Sequence, residues 1–432
     1  MARRILADTR PLQNVYFQRL WTANIITVIG AQLTVVAVPA QIYAITGSSA
    51  YVGLSGVFGL VPLVVFGLWG GALADTFDRR RILMVTTGGL IATSAALWAQ
   101  AATGADNVWL LLSIFSVQQA FFAVNQPTRT AVLPRIMSLD LLPAANSLNM
   151  TVMQAGAIAG PLVGGALIPI LGFSTLYFVD TVCLFATLWA VVSLPPLPPE
   201  HTPGRPRPTA GFRSVIDGLV YLRGQPVLLM SFVVDLIAMI FGMPRALFPQ
   251  MAHESFGGPS DGGWAFALLF IAIPVGAVLG GVLSGWVSAV RRQGMAVIVC
   301  IVVWGLSVAV AGGALVFADS AMLPVLPIVV GALMIGGAAD MASAAFRQTM
   351  LQSAASDDVR GRLQGVFIVV VAGGPRIADV AHGTSAAMAG TAVTVAGGGL
   401  ATVVLTVAVA FAVPVFWRYR VTVAETDAID DR

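Results

Sequence analysis

The chain has no lysine: all 23 basic residues among its 432 are arginine. It has little charge of either sign, 10% of residues against about 25% in soluble domains. Cysteine is nearly absent. Cys183 and Cys300 both lie inside apolar runs, so they read as small core residues rather than a disulfide or metal site. The three histidines show no zinc-ligand spacing. There is no nucleotide-binding loop and no nucleophile–base constellation, so an enzyme is the least supported class and no cofactor or metal is expected. The net charge of +3 does not point to nucleic acid, because the arginines sit at the edges of apolar runs. An arginine-only chain rich in Ala, Gly and Val points to a G+C-rich bacterial genome.

What the chain does have is apolar sequence. It is 57% hydrophobic, with a mean hydropathy of +0.87. A membrane-crossing helix takes about 20 apolar residues. The runs predict an all-α membrane protein of twelve transmembrane helices, at 18–45, 52–74, 82–103, 108–128, 143–170, 174–194, 226–250, 263–288, 294–317, 323–346, 363–388 and 394–417. The run after Arg19 is too long for a cleaved signal peptide and reads as the first span.

The arginines give an orientation. With both termini in the cytoplasm, the inner segments hold every arginine except Arg245 and Arg376, which fall inside predicted spans. The expected organisation is a bundle over 1–194, a cytoplasmic linker over 195–225, a second bundle over 226–417 and a tail over 418–432. The linker begins Pro195-Pro196-Leu197-Pro198-Pro199 and is stiff. Gly211 to Gly224 reads as an amphipathic helix on the inner membrane surface, with Phe212, Val215, Ile216, Leu219 and Leu222 on one face. The halves repeat: Arg129 to Asp140 aligns without gaps on Arg347 to Asp358, each between a fourth and a fifth span.

One stretch organises the first half. Gly70-Gly71-Ala72-Leu73-Ala74-Asp75-Thr76-Phe77-Asp78-Arg79-Arg80-Arg81 joins spans two and three as a tight, arginine-tipped hairpin. It resembles the loop signature of the major facilitator superfamily at Gly71, Leu73, Ala74, Asp75, Arg79, Arg80 and Arg81, with Asp78 where most members have glycine. The resemblance implies two pseudo-symmetric six-helix bundles, and a cytoplasmic latch between them formed by Gly71, Asp75, Arg79, Arg80 and Arg81. In the second half Gly285 replaces the aspartate, which weakens the second latch. The fifth span carries Gly156, Gly160, Pro161, Gly164 and Gly165, which resembles the antiporter motif of exporting members and implies export and a place at the interface of the halves. Ala37-Val38-Pro39-Ala40-Gln41-Ile42, Asp78, Met350-Leu351-Gln352 and Gly361-Arg362-Leu363 with Gly365 are together similar to the enterobactin (siderophore) exporter group.

An ionisable side chain near the bilayer midplane costs about 2.5–3.5 kcal/mol on insertion scales, so those present are paired, face water or work. Candidates for proton coupling are Asp235, Asp340, Asp379, Arg376 and His382. Arg376, Asp379 and His382 follow Gly373-Gly374-Pro375 at intervals of three, which predicts a bend and an Arg376–Asp379 pair, either a coupling or anion-binding centre or a self-satisfied structural pair. Asp340 has Arg347 as another possible partner, and Asp180 falls on a sixth span that the resemblance makes outer scaffold. Arg245 either guides an anionic substrate or anchors at the interface. Candidates for a substrate cavity are Asn24, Gln32, Gln118, Phe121, Phe122, Asn125 and Arg245; amides and rings suit a large amphipathic ligand, or else serve as interhelical glue.

The expectation is therefore a monomeric proton-coupled antiporter of the bacterial cytoplasmic membrane that exports a siderophore or similar amphipathic small molecule by alternating access, with the small-molecule substrate, protons and the lipid bilayer as its partners. Multidrug efflux, uptake by symport and a non-transporting sensor or scaffold are the alternatives.

Overall fold

The computed structural model describes residues 9–138, 141–198, 220–318, 322–354 and 357–420. Within them every regular element is a helix. The long ones are α1 (Val15–Thr46), α2 (Ser49–Thr76), α3 (Arg79–Ala102), α4 (Val108–Ile136), α5 (Leu142–Val192), α6 (Pro226–Gly242), α7 (Trp264–Val282), α8 (Gln293–Leu315), α9 (Met322–Ala354), α10 (Asp357–Ala389) and α11 (Thr391–Ala412). Among the described residues, 10 helical stretches are long and apolar enough to cross a membrane.

Sequence punctuation places the helix ends. The carbonyl-bearing side chains of Asn14 and Asn107 accept from the first amides of α1 and α4, and Asp78 accepts from the Arg80 amide at the start of α3 (2.8 Å). Such caps satisfy amides that a helix leaves without partners. Asp78 also accepts from Leu197 N at 3.2 Å, so the residue standing in place of glycine ties the linker to the hairpin. α5 runs for 51 residues, about 1.5 Å each, and breaks at Gly172, whose φ of 73° a side chain would strain. The expected seventh span stops early. Pro244 lacks an amide proton and crowds Met243, so α6 ends at Gly242 and the chain continues through short turns over Arg245–Leu247 and Phe248–Gln250 and a wide turn over Met251–Ser255. Likewise α7 ends at Val282, not 288, and a 3-10 turn follows.

α1 and α3 pack on α5, and α4 on α2 and α3; α8 packs on α9 and α11, and α9 on α7. Two seams join these sets, α2 against α10 and α5 against α7. One apolar core runs through both, from Leu33, Ala37 and Tyr177 to Phe248, Phe270 and Trp304. Three described bonds across the seams lie at the end where α1 turns into α2. Ser49 Oγ donates to Gly383 O (3.4 Å), Gly263 N to Gly165 O (2.9 Å) and Tyr43 Oη to Glu254 Oε1 (3.0 Å).

The hairpin arginines bond within the first set. Arg79 donates to Ala131 O (3.3 Å) and Arg80 to Val192 O (2.6 Å), while Arg81 is exposed. The expected bridge to the other set involves side chains outside the described residues, Gly71 and Asp75 among them. Of the expected surface helix, 211–219 lie outside them too, and Leu222 is buried against Leu228, Phe232 and Leu351. The exporter-type glycines only partly face the seam. Gly156 lies against Val28, Gly160 against Gln32 and Gly164 against Leu33, all on α1 of the same set, and Gly165 alone of the four packs on Ala267 of α7.

Candidate functional site

A cavity of about 280 Å³ lies between the two sets of helices, at the lower edge of the usual ligand-pocket range of about 300–1,000 Å³. α1 lends it Asn24 and Gln32, and α4 lends it Gln118, Gln119, Phe122, Asn125 and Gln126. The first set thus supplies amides and rings. The second supplies Arg245, Arg376 and Asp379.

The break at Pro244 delivers Arg245 to this site, where its Nη2 donates to Asp379 Oδ2 at 3.1 Å. Asp379 is 7% exposed and Arg245 36%. The expected Arg376–Asp379 pair is therefore not made. Arg376 instead reaches across the seam, donates to Gln119 Oε1 at 3.0 Å, and lies over the Phe115 ring at 5.4 Å. Gly59 makes room for it: a Cβ there would stand 2.7 Å from Nη1. α10 runs through Pro375 as one element.

Three cavity residues were missed or misread. Arg129 was placed at a loop edge, yet it lines the cavity and donates to Leu20 O at 3.5 Å. Phe115 was not singled out. Asp180 was assigned to scaffold, yet it lines the wall, 2% exposed, with Oδ2 accepting from Thr34 and Ser94 at 2.8 Å each. Its Oδ1 has no partner and sits over Gly30, where a Cβ would come within 2.8 Å of it. Conversely, Phe121 turns away from the cavity, against Gly89 of α3 and a separate groove beside Phe66 and Arg81. Asn125 is held by Thr86 (2.8 Å) and Thr87 (3.2 Å), and Gln41 by Tyr177 and Gln100 in a network outside the cavity.

Asp235 and Asp340 belong to a second polar system, off the cavity wall. Asp235 of α6, 1% exposed, pairs with Arg347 of α9. Arg347 Nη2 also stands 3.9 Å from Asp340 Oδ1, whose side chain is 33% exposed. Arg347, read from sequence as a loop-edge residue, is thus an interior cation shared by two carboxylates. The aligned pair Arg129 and Arg347, one per half, was the signal that both point inward. His382 is 4% exposed and packs against Gly398 of α11, also away from the cavity.

A family model described as transmembrane secretion effector matches residues 7–430. Curated relatives include the enterobactin exporter EntS of Shigella boydii, 25% identical over 421 residues, 96% of this chain and 95% of that one. The enterobactin exporter EntS of Citrobacter koseri is 26% identical over 352 residues, 81% and 80% of the two chains. Among solved structures, the nucleoside transporter NupG superposes with a TM-score of 0.68 at 12% identity, over 94% of this chain and all of that one. A bacterial homologue of the iron transporter ferroportin, in an inward-facing state, gives 0.69 at 13%, over 94% and 99%.

Proposed function

The chain belongs to the transmembrane secretion effector family of the major facilitator superfamily, and from that membership we propose that it is a proton-driven exporter of the bacterial cytoplasmic membrane. Its load is an amphipathic small molecule of the siderophore type. The relatives named as enterobactin exporters support that class of load. Counting α5 as two crossings and adding α10 to the 10 spans gives twelve. With an even number and the arginine-rich segments inside, both termini are cytoplasmic.

The observation that carries the reading is a cavity whose wall is shared by both sets of helices and holds the Arg245–Asp379 pair. A site at the seam changes its access when one set rocks against the other. Antiport requires that protonation and load binding oppose each other, which is a difference in affinity between states. Asp379 is the acid assigned to the proton in this reading, because it is the carboxylate that the second set places in the cavity wall and Arg245 and a proton compete for it. The bonds at Tyr43, Ser49 and Gly263 close the outer end in this state. The protein works as a monomer, with protons, load and bilayer as its partners.

The test is efflux driven by an imposed pH gradient in proteoliposomes, with Asp180, Asp235, Asp340 and Asp379 changed singly to Asn. The expected result is that Asp379→Asn abolishes gradient-driven efflux while leaving load exchange at equal pH. Gradient-driven efflux that survives in Asp379→Asn, or flux that runs inward with protons, refutes the reading.

A further inference from the structure

We propose that Arg376 is an anion subsite at the head of the cavity, and that the load carries an acidic group beside an aromatic ring. This rests on the exporter reading and names the chemistry of its load.

Arg376 is a buried-site cation with a neutral partner. The described residues give it the Gln119 carbonyl oxygen and the Phe115 face, and no carboxylate. The carboxylate three residues on, Asp379, is taken by Arg245. A guanidinium presents a planar fork of donors, of which one bond to an amide uses a small part. Among the described residues its other donors have no hydrogen-bond partner and are left for a carboxylate, phenolate or sulfonate, and a charge-assisted pair is about twice as strong as a neutral hydrogen bond. The surroundings match such a ligand. Phe115 and Phe122 flank the site, and Gln118, Gln119 and Asn24 offer neutral polar contacts along the wall. Arg129 adds a second cation farther along the cavity, again with a carbonyl for its partner and no carboxylate among the described residues. The lining arginines Arg129, Arg245 and Arg376 thus outnumber the acids Asp180 and Asp379. A cationic load would meet a wall on which arginines outnumber carboxylates, with the nearby Asp379 already held by Arg245. An anionic one displaces only an amide.

The probes are a matched pair with the same ring system: 8-anilinonaphthalene-1-sulfonate, an anion, and N-phenyl-1-naphthylamine, which is neutral. Binding to the full-length protein in nanodiscs is read by fluorescence, against empty nanodiscs, for the native chain, Arg376→Gln and Arg376→Lys. The native protein is expected to bind the sulfonate more tightly than the amine. Arg376→Gln is expected to lose about tenfold or more for the sulfonate, to leave the amine unchanged, and to be partly rescued by Arg376→Lys. Equal affinity of the native protein for the two probes overturns the proposal, as does a loss of both probes together in Arg376→Gln with its melting temperature intact. The exporter reading fails separately, if neither probe moves under a pH gradient.

Discussion

Taking the charge from Asp235 and from Arg347, singly and together, measures what their pair does. Asp235 is 1% exposed and Arg347 9%, so each would be left in a dry interior without the other. Removing one partner of a buried ion pair costs about 3–5 kcal/mol, while replacing both with neutral or apolar groups is about neutral or better. The site is not symmetric, and that sharpens the expectation. Arg347 has a second acid, Asp340, at 3.9 Å, so Asp235→Asn leaves the cation with company and should fall at about 3 kcal/mol. Arg347→Met leaves two carboxylates facing the same space without a cation and should reach about 5 kcal/mol or more. The double variant Asp235→Asn/Arg347→Met should recover most of the loss, a coupling of at least about 2 kcal/mol. The assay is unfolding in detergent micelles, titrated with SDS and followed by tryptophan fluorescence. Equal single losses that simply add, with coupling under about 0.5 kcal/mol, would refute the Asp235–Arg347 pair as a stabilising unit. Efflux by the stable double variant would further place Asp235 in architecture, not in proton coupling.

Three other outcomes follow from the geometry. Tyr43→Phe removes a bond of 3.0 Å to Glu254 at the end where α1 turns into α2, worth about 1.5–3 kcal/mol at most and less where water reaches it; a cysteine at Ser49, in a chain freed of Cys183 and Cys300, should then react with an impermeant maleimide about fivefold faster or more, and an unchanged rate removes Tyr43 from the closure. Asp180→Ala strands the hydroxyl of Thr34, while Ser94 keeps Tyr177 O at 3.4 Å, and should cost about 1–3 kcal/mol in the same SDS titration; no loss would mean that the cluster is wet and self-sufficient. Gln119→Ala cuts the 3.0 Å bond that ties α4 to α10 and should raise Ser49→Cys labelling without load; labelling at the native rate would mean that this bond does not hold the halves together.

Much of the architecture was legible because length and hydropathy are local. Apolar runs of about 20 residues and the arginine-tipped hairpin fix helices and turns, but the apolar run over 226–250 hid the break at Met243-Pro244. Partner choice was less legible, because it depends on which helix arrives. Residues three apart on a helix are neighbours, which put Asp379 beside Arg376, but the break at Pro244 brings Arg245 to Asp379 and Gly59 opens a path for Arg376 toward Gln119. Phe121 shows the limit of a helical wheel. At about 100° per residue it stands about 100° from Phe122, enough for one ring to face the cavity and the other α3. Asp180 escaped for a different reason: its partners Thr34 and Ser94 come from α1 and α3, and hydroxyls on separate runs announce nothing in sequence.

The two polar systems of the second set divide the work by where their partners sit. Asp235, Arg347 and Asp340 are all on α6 and α9, within one set, so a rocking motion of one set against the other leaves their contacts intact. Arg376 and Gln119 sit on opposite sides of the seam, and any such motion changes their distance. A ligand shifts a conformational balance only through contacts that differ between the states. An anion that takes Arg376 from Gln119 exchanges a bond across the seam for a bond to the load, and so loosens one described tie between the sets at the moment of binding. The Asp235 cluster has no such lever. On the proposed exporter reading, Arg376 and Gln119 are the residues assigned to turn binding into movement, while the buried charges of α6 and α9 are assigned to hold together the set that carries Arg376.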